Sequence, residues 1–173
     1  MRKIAIITGS LSDLSQCRLG FKILKEYGPE VEIVGIFIRS QHRNTLETQE
    51  LLKSLAEMKV DVVIIGAGWA NHLTGCSDAF LRYTLKNDRL VVIGVAFEDA
   101  KNEKHTQAAV LSMTEVPGTQ VTFGNHGFAN IGLSGFANAC VFAATGELPK
   151  IKLPEPKPIM DLSLEEALKI AEN

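Results

Sequence analysis

Three short segments hold most of the side chains that can do chemistry. The first is Gly9-Ser10-Leu11-Ser12-Asp13. The glycine lets the chain turn sharply, and the free N–H groups of a first helical turn join the serine hydroxyls in a donor-rich pocket suited to a phosphate. The same residues also make an ordinary strand-to-helix turn capped by Ser12 or Asp13. Asp13 would repel a phosphate at contact distance, so its carboxylate suits hydrogen bonds from sugar hydroxyls. The second segment is Arg39-Ser40-Gln41-His42-Arg43. Arg43 offers a planar, permanently charged fork that matches phosphate oxygens. His42 changes charge near neutral pH, which makes it a candidate proton shuttle. The alternative there is a solvated basic loop. The third segment is Gly66-Ala67-Gly68-Trp69-Ala70-Asn71-His72-Leu73. Its two glycines admit a ligand close to the backbone, but a dinucleotide fingerprint needs a third glycine where Asn71 stands. Trp69 reads as a lid, a subunit contact or core packing. His72 reads equally as a ligand contact or a helix-start residue.

Other chemistries are excluded by pattern. His42, His72, His105 and His126 show neither H-x-H nor H-E-x-x-H spacing, and no cysteine lies near them in sequence, so no metal site is expected. The chain lacks G-x-x-x-x-G-K-[ST], and Ser134 lacks a full G-x-S-x-G setting. Lys and Arg number 18 against 20 Asp and Glu, a net charge of −2 that leaves no excess to neutralise a nucleic-acid backbone. An apolar fraction of 46% excludes a disordered chain. Cys17, Cys76 and Cys140 are an odd, scattered set, which suits a reducing, cytoplasmic setting. Met1-Arg2-Lys3 leads straight into a short apolar run, so no secretory leader is expected.

The elements that must position these residues alternate. Residues 3–8, 31–37, 61–66 and 90–96 are short apolar runs that read as buried strands, and 119–124 reads as a fifth. Helical spacing covers 13–27, 44–58 (with Leu51, Leu52, Leu55 and Met58 inward), 75–86, 104–114 and 131–145. Wholly apolar strands between helices mean a parallel sheet covered on both faces, so the expected fold is a three-layer α/β sandwich of flavodoxin-like kind. Ligands bind beyond the carboxyl ends of such strands, where the three segments fall. From Val116 to Gly146 there is no charged residue. The run is too broken by Pro, Gly and Asn for a membrane span. It predicts a last helix buried on every face, some of its neighbours coming from other subunits. Residues 1–148 form the catalytic domain in this reading. Residues 149–158 hold four prolines and form an extended linker. Ser163-Leu164-Glu165-Glu166 then opens a short helix expected to dock on the core or on a neighbouring subunit.

Taken in order, these segments resemble the PurE-type enzymes of purine biosynthesis, the carboxyaminoimidazole ribonucleotide mutases and aminoimidazole ribonucleotide carboxylases. The resemblance rests on Gly9-Ser10-x-Ser12-Asp13, Ser40-x-His42-Arg43 and Gly66-Ala67-Gly68-x-Ala70-x-His72-Leu73-x-Gly75. Val92-Ile93-Gly94-Val95, Val116-Pro117-Gly118 and Gly135-x-Ala137-Asn138-Ala139 extend it to about Ala144. It implies a homo-octamer without metal or organic cofactor. It implies a ribonucleotide phosphate held by Ser10, Ser40 and Arg43, with Asp13 on the ribose and His42 as acid/base group. Ser12, Gly66, Ala67, Gly68, His72 and Leu73 complete the expected substrate site. The implied reaction moves a carboxyl group from the exocyclic nitrogen to a ring carbon. Leu14, Asn71 and Asp78 are similar to the direct carboxylase branch, whereas His42-Arg43 has the mutase form. Trp69 and Asn71 interrupt a usual Gly/Ala run where the substrate ring would lie. Direct carboxylation of the unmodified nucleotide is the first alternative, and a non-catalytic module holding a phosphorylated ligand is the second.

Overall fold

The computed structural model describes residues 1–172. Its five strands are β1 (Arg2–Thr8), β2 (Val31–Ile38), β3 (Val62–Ala67), β4 (Val91–Ala96) and β5 (Asn130–Ile131). They lie in the order β2-β1-β3-β4-β5, every pairing parallel. This is the doubly wound, flavodoxin-like arrangement. β3 and β4 are buried along their whole length, as strands covered on both faces must be.

Alternate side chains of each strand serve different layers. Ile4, Ile6, Val62, Ile64, Ile93 and Val95 face α1 (Leu14–Glu26) and α5 (Gly132–Thr145), meeting Cys17, Leu24, Phe136, Ala139 and Cys140. Ala5, Ile7, Val63, Ile65 and Val92 face α2 (Thr45–Glu57), α3 (His72–Ala79) and the π-helical turn Phe80–Thr84 that follows it, meeting Leu52, Leu55, Leu73 and Leu81. α4 (Glu103–Thr114) lies beside α3, with Ala109 and Met113 against Ala96. The helices α1 and α5 approach closely because Gly20 has no side chain. A Cβ there would lie 2.5 Å from the Phe136 ring and 2.6 Å from the Cys140 sulfur.

One buried ion pair ties the later loops down. Arg82, fully buried, donates from Nε to Asp78 at 3.0 Å and from its other nitrogens to the carbonyls of Asn87 and Leu90. The second Asp78 oxygen accepts from the Gln120 N–H at 2.7 Å.

Two expectations need correction. Residues 119–124 form no strand: Thr122 alone bridges to β4, while Asn130–Ile131 supplies the fifth strand. Asp78 holds the Gln120 amide on a side chain, so the segment meets the sheet at a single point. Within this one chain, helix α5 leaves Ser134, Asn138, Val141 and Thr145 as an exposed uncharged stripe. Met58 follows the last turn of α2 and is exposed, and Thr48 takes the inward place. The terminal helix α6 (Leu164–Ala171) has its full capping box between Ser163 and Glu166, and none of its residues is buried within this one chain. Among the described residues no helix is long and apolar enough to cross a membrane.

Two substitutions probe this architecture. Gly20→Val forces a side chain into the α1–α5 contact and should cost about 1–3 kcal/mol in urea denaturation. Asp78→Ala leaves a buried guanidinium without its counter-charge and should cost about 3–5 kcal/mol by the same measurement.

Candidate functional site

The carboxyl ends of β1, β2 and β3 open onto one cleft of ≈ 310 Å³. Each strand delivers its own loop. After β1, Gly9, Ser10, Ser12 and Asp13 line the cleft. Ser10 caps a short 3-10 turn, Leu11–Asp13, by accepting from the Ser12 N–H, and the two serine hydroxyls are 2.9 Å apart. Ser10 thus caps the turn, while Asp13 holds the N-cap position of α1 without a side-chain capping bond. Burial pushes the Asp13 carboxyl up to about 6, against the opposing pull of a Ser10 backbone hydrogen bond and the Arg43 charge.

After β2, Ser40, Gln41, His42 and Arg43 line the facing wall. The buried Ser40 supports this loop, its carbonyl accepting from the amides of Arg43 and Asn44 at 3.2 and 2.8 Å. Arg43 reaches across and donates from Nη2 to the Gly9 carbonyl at 3.3 Å. The guanidinium thus spans the first and second loops, with His42 exposed beside it.

After β3, Ala67, Gly68, Trp69, Ala70 and Leu73 close the third side. Two expected residues stand outside. Gly66 is part of the sheet: a Cβ on it would collide with the Phe97 ring at 2.5 Å, and its carbonyl accepts from the Gly9 N–H at 3.0 Å. Its role is to let Phe97 pack and to fix the first loop. His72 does not line the cleft, but its ring centroid is 5.3 Å from that of His42. Asn71, expected near the ring, points the other way. It is fully buried, caps α3 through the Thr74 N–H, and donates to the Val95 carbonyl at 2.9 Å.

Sequence reading missed a support at the rim. Trp69 stacks on His105 with ring centroids 3.9 Å apart and planes 19° apart. His105 Nδ1 lies 2.7 Å from Asp99 Oδ2. The signal lay in position: Asp99 follows the carboxyl end of β4 and His105 opens α4, where the parallel-sheet rule places functional loops. Among the described residues no group of three or more His, Cys, Asp and Glu is arranged to hold a metal ion. Cys17 is buried, and its thiol is pushed up to about 12 by burial and the Asp13 charge.

A family model described as AIR carboxylase matches residues 3–152. The chain belongs to that family. It is 32% identical to an N5-carboxyaminoimidazole ribonucleotide mutase of Pyrococcus abyssi over 91% of this chain and 79% of the relative. It is 30% identical to the enzyme of the same name from Thermotoga maritima, over 90% of this chain and 79% of the relative. A crystal structure of Treponema denticola PurE superposes with a TM-score of 0.59 at 22% identity, covering 83% of this chain and 78% of that one. That likeness bears on the fold, and it agrees with the strand order described above.

The Asp13 carboxyl makes stability depend on pH. The unfolded chain releases this proton near its ordinary value of 3.8, the folded chain only near about 6. Between those values the native state binds more protons, so this group makes stability fall as pH rises through the window. Asp13→Asn should remove that fall. Its melting temperature relative to the wild type should rise between about pH 4 and about pH 7, as read by thermal denaturation.

Proposed function

We propose that this chain converts N5-carboxyaminoimidazole ribonucleotide to 4-carboxy-5-aminoimidazole ribonucleotide in purine biosynthesis, with the cleft beyond β1, β2 and β3 as its active site. The observation that carries the reading is the meeting of one imidazole, His42, with Ser10, Ser12, Ser40 and Arg43 around a single small cleft, in a chain of the AIR carboxylase family. The cleft volume is at the lower end of what small-molecule sites span.

In this reading Arg43 and the hydroxyls of Ser10 and Ser40 grip the phosphate, and Asp13 accepts from ribose hydroxyls. Ser12 supports Ser10 through their 2.9 Å contact. Phosphate binding fixes the far end of the ligand and orients the ring. Ala67, Gly68 and Leu73 form a close wall that leaves little room for water. The bond between the exocyclic nitrogen and the carboxyl carbon breaks, that nitrogen gains a proton, and carbon dioxide is released inside the site. The ring carbon attacks it, and His42 takes the proton that this carbon loses. One proton is gained and one lost, so the rearrangement balances. Neither metal nor organic cofactor enters the scheme.

We read the working form as a homo-oligomer, an octamer by family resemblance. The uncharged stripe on α5 and the exposed Leu164, Leu168 and Ile170 of α6 support it, because apolar surface left open in one chain is what a neighbouring copy covers. Helix α6 packs on that neighbour. The three free cysteines suit a cytoplasmic setting.

His42→Asn should keep nucleotide affinity and lower kcat by about 10²–10⁴-fold, followed by ultraviolet absorbance. Unchanged turnover removes His42 from the mechanism. Offering the N-carboxylated nucleotide, or the unmodified nucleotide with bicarbonate, separates the reactions: turnover of the second alone would overturn the mutase assignment. Sedimentation at micromolar concentration should give a mass several times that of one chain, and a monomer refutes the assembly.

A further inference from the structure

Trp69 is 66% exposed at the rim of the cleft, an unfavourable place for the chain's single tryptophan unless something covers it. One indole face is already covered, because His105 stacks against it. The exposed area therefore includes the opposite face, and Trp69 is itself one of the residues lining the cleft.

The ring is held with unusual care. Asn102 Oδ1 accepts from the Lys104 N–H, which turns its Nδ2 toward His105 Nε2 at 3.1 Å. An amide nitrogen only donates, so Nε2 accepts and the ring proton sits on Nδ1, facing Asp99 at 2.7 Å. Both imidazole nitrogens are thus engaged, and the Asp99 N–H is in turn bound to Thr106 Oγ1 at 3.0 Å. His105 is a fixed plate rather than a swinging side chain. The Trp69 backbone, at φ 60°, lies in the left-handed region that bulky residues avoid. Strain of that kind persists where the surroundings impose it, most often at ligand sites.

A large flat apolar surface, fixed in orientation and open on the ligand side, is what a planar heterocycle stacks upon. We propose that Trp69 is the ring-binding surface of this cleft: its free indole face stacks on the imidazole of the bound ribonucleotide and makes the site select a planar base over a bare sugar phosphate. This rests on the ribonucleotide reading above. Stacking also fixes the plane of the ring, which is the orientation proton removal at a ring carbon needs. His105, Asp99 and Asn102 act as positioning residues behind the indole.

The test uses the whole protein with two probes, 5-aminoimidazole ribonucleotide and ribose 5-phosphate, each followed by calorimetry and by tryptophan emission. Trp69 is the only source of that emission. The nucleotide should bind and change the emission, while ribose 5-phosphate should bind and leave it unchanged. Trp69→Gly, which also relieves the backbone, should weaken the nucleotide about tenfold and leave ribose 5-phosphate within about twofold. Trp69→Phe should restore most of the lost affinity. Nucleotide binding without an emission change, or equal nucleotide affinity in Trp69→Gly, overturns the stacking and leaves the phosphoribosyl site standing. Failure of both probes to bind the wild type overturns the proposed function and the stacking together.

Discussion

Handedness in the connections between parallel strands is the constraint from which the cleft follows. From β1 the chain crosses by α1 to β2 at the sheet edge; from β3 it crosses by α3 toward β4 on the other side. Right-handed crossovers in opposite directions must run over opposite faces. The core bears this out, since α1 packs with Ile4 and Ile6 while α3 packs with Ile65. The loops leaving β1 and β3 therefore part, and a gap opens between them however the side chains are chosen. What the sequence selects is the lining of that gap.

That lining is polar and of mixed charge. Arg43 bridges to the Gly9 carbonyl, and Asp13 sits close enough to feel its charge. Burial outweighs that attraction, which is why the carboxyl holds its proton unusually well. A group poised in this way can accept or donate a hydrogen bond to a sugar hydroxyl. It is also a standing cost to the folded chain near neutral pH, the kind of local expense that ligand sites carry.

Much of this was readable from the residues. The central strands β3 and β4 are apolar throughout and the helices carry spacing of three and four, so the layers, the first four strands and the three converging loops followed directly. The misses have physical causes. Gly66 and Asn71 lie in the right segment but outside the cleft, because side-chain direction alternates along a strand and turns by about 100° per residue around a helix start. Residues 119–124 have strand-like composition, but Asp78 captures the Gln120 amide from a distant helix. The Trp69–His105 stack joins side chains 36 positions apart in sequence, a distance over which periodicity carries no information. Helix α6 is amphipathic, yet among the described residues none of its side chains is buried.

The close pairing of α1 with α5 governs the order in which the molecule can be built. Residues 14–26 leave the ribosome well before the helix that covers them, residues 132–145. Until then the sheet face of Ile4, Ile6 and Ile64 lacks half its cover. The second layer needs only sequence-near helices, so α2 and α3 can settle on it while the chain is still growing. Nascent chains stalled before residue 132 would carry one finished face and one half-covered, adhesive face, the condition in which partly made proteins call on chaperones. Contacts that reach back across most of the chain also set a slow final closure of the fold.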